Sequence, residues 1–114
     1  AIGDNLESYR DMSRSGIALY VGGMGAKGTN FHKNLFERMG YADEAEQIQK
    51  LFFEGKRDEA ARVIPDELAD AMALIGPKDR IRDRLQAWND SKVTTLLVAT
   101  TDKQQLRDMA ELIL

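Results

Sequence analysis

The chain holds no cysteine and a single histidine, His32, among its 114 residues. The first absence excludes disulfides, thiolate metal sites and a cysteine nucleophile, and the second excludes an all-histidine metal cluster within one chain. Basic charge is also scarce. Sixteen Lys and Arg against nineteen Asp and Glu leave a formal net charge of −3. No electrostatic footprint for a phosphate backbone results, so nucleic acid is not an expected partner. No apolar run approaches the roughly 18 residues of a spanning helix, and no basic-then-apolar leader is present, so neither membrane nor export is expected. These absences together predict a cytoplasmic protein. The chain opens Ala1-Ile2-Gly3-Asp4 without an initiator Met, which fits a processed or cut chain.

What is present is ordinary for a folded domain: 43% hydrophobic and 31% charged residues with both signs interspersed. The length supports one modest core and is small for an enzyme with its own cofactor site. Residues 1–114 are therefore read as a single domain. Asp4 or Asn5 is placed to cap a first helix, followed by Ile17 to Val21, which propensity alone would make a strand. Beyond the glycine-rich stretch 22–29, Asn30 caps a short helix that Gly40 ends, and a clear amphipathic helix runs from about Tyr41 to Glu54, ending at Gly55. A short helix is expected over Asp58 to Ile64. Pro65 and Pro77 open two more helices, the second with Ile81, Leu85 and Trp88 on one face. Lys92 to Ala99, rich in Val, Thr and Leu, reads as a strand covered on both faces as in a parallel sheet. Thr101 and Gln104 match a capping box that launches a final helix. That lone strand lacks a confident partner, and its backbone groups need one.

Gly23-Met24-Gly25-Ala26-Lys27-Gly28 matches the dinucleotide pattern G-x-G-x-x-G letter for letter. Its context fails, because a Rossmann unit needs a second parallel strand some thirty residues on and Glu44 to Glu54 is helical. Thr29 stands where a P-loop requires Lys. His32 has the chemistry of a general base or substrate contact, against the plainer reading of a surface residue on a short helix. Arg80, Arg82 and Arg84 could hold phosphate, but pairing with Asp79 and Asp83 on a solvated face is the simpler reading. Tyr20, Met24, Phe31 and Phe36 form an aromatic and thioether cluster near the glycines, read either as core or as pocket wall.

Several blocks in order carry a family resemblance: Ala18 to Gly25, Asn30-Phe31, Gly40-Tyr41, Pro65 to Leu68, Ile75-Gly76-Pro77 with Arg80-Ile81, and Val93 to Leu96. The chain resembles the C-terminal third of the bacterial-luciferase-like flavin- or deazaflavin-dependent oxidoreductases, most of all the actinobacterial members. The resemblance implies an α/β fold, the C-terminal portion of a (β/α)8 TIM barrel about three times this length, with 93–99 as the final barrel strand and Ala1 to Gly3 the tail of a preceding one. It also makes Ile17 to Val21 helical, against local propensity. The implied chemistry is hydride transfer or monooxygenation with a small-molecule substrate and a deazaflavin (coenzyme F-420) or FMN in the parent protein, with no tight binding of either by this chain alone. Tyr20, Met24, Phe31, His32 and Thr100 are then expected to line a substrate pocket, and no catalytic or cofactor-binding residue is assigned. Ser91-Lys92, where relatives often carry a glycine, departs from the pattern at a turn. The rival expectation is a non-enzymatic helical module whose apolar surfaces close by self-association. Both readings predict a homo-oligomer.

Overall fold

A computed structural model describes residues 1–114 and divides them into two compact units, Arg10–Ala73 and Ala1–Tyr9 with Leu74–Leu114. Seven α-helices account for most of the chain: α1 (Leu6–Ala18), α2 (Phe31–Arg38), α3 (Ala42–Phe53), α4 (Arg57–Arg62), α5 (Asp66–Met72), α6 (Lys78–Asn89) and α7 (Lys103–Ile113). Directly after α1, Leu19–Gly23 winds on as a π-helical turn. Ile17 to Val21 is therefore helical, as the family resemblance implies and as its own propensity does not.

In the unit Arg10–Ala73, Ile17, Ala18, Val21, Phe36, Ala45, Ile48, Ala60, Ile64, Leu68 and Ala69 form one buried core. The helix ends are fixed by local chemistry. After α2, Gly40 adopts φ 96° while its N–H bonds Glu37 O and that of Tyr41 bonds Phe36 O; after α3, Gly55 at φ 79° repeats the arrangement onto Phe52 and Leu51. Both are Schellman stops, which need a residue without Cβ in the left-handed region. Two arginines fasten α1 to the region of α5. Arg10 grips Asp70 in bidentate fashion at 3.0 and 2.8 Å, and Arg14 bonds Ile64 O at 3.1 Å and the Asp66 carboxylate.

In the other unit, α6 and α7 pack through Ile81, Leu85 and Met109, joined by Ile2, Leu74, Leu96 and Leu112. The N-terminal residues form a short parallel bridge: Gly3 N donates to Gly76 O at 2.9 Å, and Gly76 N to Ala1 O at 3.1 Å. The expected strand over 92–99 does not form. Those residues run without a ladder; Leu96 turns into the core while Val93, Leu97 and Val98 stand exposed, Leu97 at 87%. A strand exists only against a neighbour, and the other extended backbone, at Ile2 and Gly76, is already paired with itself. No barrel is present within these residues.

A second correction concerns α7. Thr101 does not cap it; the Asp102 carboxylate does, accepting from Gln104 N at 2.7 Å and Gln105 N at 3.4 Å, while Thr100 Oγ1 accepts from Asp102 N. A charged acceptor outcompetes a hydroxyl at the positive end of a helix. Pro65 and Pro77 likewise stand at the cap, one residue ahead of the expected first helical position. No helix is long and apolar enough to cross a membrane.

Candidate functional site

The glycine-rich stretch between α1 and α2 is built around a fault in the helix ladder. A π turn leaves carbonyls at its end without the usual partners, and Asn30 answers them. Its Nδ2 donates to Val21 O at 2.8 Å and Tyr20 O at 3.3 Å, while its Oδ1 accepts from Lys33 N at 2.9 Å and so caps α2. One side chain, almost wholly buried, thus ties the end of one helix to the start of the next.

The glycines serve the same contact. A Cβ on Gly22 would stand 2.6 Å from Phe52 Cβ, one on Gly23 2.5 Å from Phe52 Cε1, and one on Gly25 2.6 Å from Thr29 O. Gly22 and Gly23 are small so that the turn can lie against α3, and Gly25 so that the loop can close on Thr29 and Asn30; the space they free is filled by protein. A dinucleotide fingerprint needs that space for pyrophosphate and a strand before it. Here a helix precedes it. The space a pyrophosphate would need at Gly22, Gly23 and Gly25 is taken by Phe52, Thr29 and Asn30.

Of the expected pocket residues, the structure brings Tyr20 and His32 together, ring centroids 4.8 Å apart and planes tilted by 57°. Both rings are exposed, as are Met24 and Phe31, the latter at 82%. With Leu35 and Met39, Phe31 makes an apolar stripe at i, i+4 and i+8 along the outer face of α2. Phe36, by contrast, belongs to the core. Thr100 lies in the other unit and is occupied locally, receiving the Asp102 N–H at 3.1 Å. No group of three or more His, Asp or Glu side chains is placed to hold a metal ion.

One residue escaped the sequence reading. Gln49, on the inner face of α3, is only 2% exposed. Its Oε1 accepts from Lys33 Nζ at 3.1 Å, and that ammonium also pairs with Glu46 and, at 3.8 Å, with Glu37. Lys33 holds the Glu46 carboxyl below the usual range, first through their hydrogen bond and then through its charge. Because an ammonium only donates, the oxygen of the Gln49 amide must face it. The other amide atom, Nε2, is buried with no acceptor. The signal available in the sequence was a polar residue one position after Ile48, on a helix face otherwise apolar.

Comparison with known proteins gives two matches. The family model described as luciferase-like monooxygenase matches residues 1–95. A Mycobacterium tuberculosis protein (strain ATCC 25618 / H37Rv), named a candidate coenzyme F420-dependent oxidoreductase, Rv3520c, is 43% identical over 97 residues, which is 85% of this chain and 28% of that relative. The chain thus spans little more than a quarter of the relative's length. No solved structure matches.

Proposed function

From the premise that this chain belongs to the luciferase-like monooxygenase family, we propose that it is the C-terminal segment of an oxidoreductase barrel. In that whole protein, hydride passes between a deazaflavin or FMN and a small organic substrate. The observation that carries this reading is the family match itself, over residues 1–95. The named activity of the mycobacterial relative favours the deazaflavin over FMN. The cofactor supplies the redox chemistry when bound, and the remainder of the barrel holds it. This chain contributes wall: Tyr20, Met24, Phe31 and His32 offer aromatic, thioether and imidazole surface on the substrate side, and Thr100 stands at the end of the segment that becomes the last barrel strand. Alone it is inactive.

The exposed stripe of Phe31, Leu35 and Met39 favours a second reading, a self-associating helical module without enzymatic role. The parent gene separates the two. A reading frame continuous with Ala1 and supplying about two hundred upstream residues, the rest of a barrel, supports the first. A start codon immediately before Ala1 supports the second and contradicts the first.

A further inference from the structure

A cleft of about 340 Å³, at the lower end of the range of small-molecule sites, is lined by Lys27 from the glycine loop and by Glu46, Gln49, Lys50, Phe53 and Glu54 of α3 and its C-terminal cap. We propose that this cleft binds the carboxylate of a small organic acid, with Gln49 Nε2, Lys27 and Lys50 as its donors and Phe53 against its apolar body. The site is separate from the exposed cluster at Tyr20 and His32 and does not depend on the barrel assignment.

Three observations carry it. The buried amide donor of Gln49 has no acceptor within the protein, and a buried donor left unmade is costly, so an oxygen brought by a ligand gains what the fold leaves unsatisfied. The two carboxylates of the cleft are hydrogen-bonded to other lysines, Glu46 to Lys33 and Glu54 to Lys56 at 3.0 Å, so Lys27 and Lys50 act on them only through longer-range charge and add cations to the cleft beyond those two pairs. Phe53, half-exposed at the end of α3, supplies an apolar flank. The chemistry also limits the charge of the guest. Two ammonium groups and an amide suit a singly charged, planar carboxylate.

Nuclear magnetic resonance of the full 114-residue chain tests this, with phenylacetate as probe and the uncharged phenylacetamide as its control. Saturable movement of the Gln49 side-chain NH2 resonances with phenylacetate is expected, with phenylacetamide weaker by about tenfold or more. The near-isosteric Gln49→Glu keeps an acceptor for Lys33 while replacing the donor with a negative charge, and should abolish binding. Lys50→Ala, at an exposed position that leaves the fold intact, should weaken it several-fold. An absent or non-saturating shift, equal binding of phenylacetamide, or undiminished affinity in Gln49→Glu would each overturn the proposal.

Discussion

At the scale of single residues, Asn30 holds more of the local architecture than any large side chain near it. It joins three backbone groups, two carbonyls from the π turn and one N–H from α2, of which the bond to Val21 O is buried and the other two partly so. Asn30→Ala should therefore destabilise the chain by about 2–3 kcal/mol, combining a lost cap with unsatisfied carbonyls. Asn30→Asp should keep the cap but set a carboxylate against those carbonyls, and should not restore stability; urea denaturation of the two variants measures both. The glycines divide by the same kind of reasoning. Gly22→Ala drives a Cβ into Phe52 and should cost about 1–3 kcal/mol, whereas Gly28, with nothing within 4 Å of its would-be Cβ, should accept Ala without loss. A dinucleotide site would make Gly28, the last glycine of the pattern, matter for binding. Packing instead makes Gly22 matter, and for stability.

Among the elements, α6 and α7 are joined by apolar contact and by one polar cluster. Lys78 pairs with Asp108 at 2.7 Å and with Glu111 at 3.1 Å, and Gln104 Nε2 donates to Asp108 at 3.0 Å. The Lys78 ammonium, then Gln104, holds the Asp108 carboxyl below its ordinary value of 3.8. A carboxyl depressed in the folded state contributes stability that is fully present above that ordinary value and is lost as pH falls through the lower folded one. Asp108→Asn should accordingly be less stable than the parent chain at neutral pH, and the gap should close in strongly acidic solution; thermal melts across that range test it. The helices were largely legible in the sequence because their ends carry short-range chemistry: Asn30, Gly40, Gly55, Pro65 and Pro77 each act within a turn of themselves. The π turn at Leu19–Gly23 was not legible, since β-branched and aromatic residues there carry strand propensity and only the packing of Gly22 and Gly23 on Phe52 explains its form. The strand at 93–99 failed for the opposite reason: its residues suit a pleated, buried surface, but a sheet is a property of neighbours, which no stretch of this chain supplies. Gln49 was hidden in its helix because a pattern of apolar positions says where a face is buried and nothing about a polar exception on it.

For the molecule as a whole, two small cores and an unpaired apolar segment suit a part whose surroundings finish it. The family match over residues 1–95 and the 28% share of the mycobacterial relative are compatible with the proposed barrel segment, in which a neighbouring strand would cover the exposed Leu97 and Val98. Joined to the rest of a barrel, 93–99 should gain the slow amide exchange of a central strand, while in the isolated chain it should exchange freely. In the proposed function these residues shape a pocket but do not hold the cofactor. Fluorescence titration of the purified 114-residue chain with deazaflavin and with FMN measures it. Absence of saturable binding through the micromolar range is the predicted result, and sub-micromolar affinity for either one would contradict the claim.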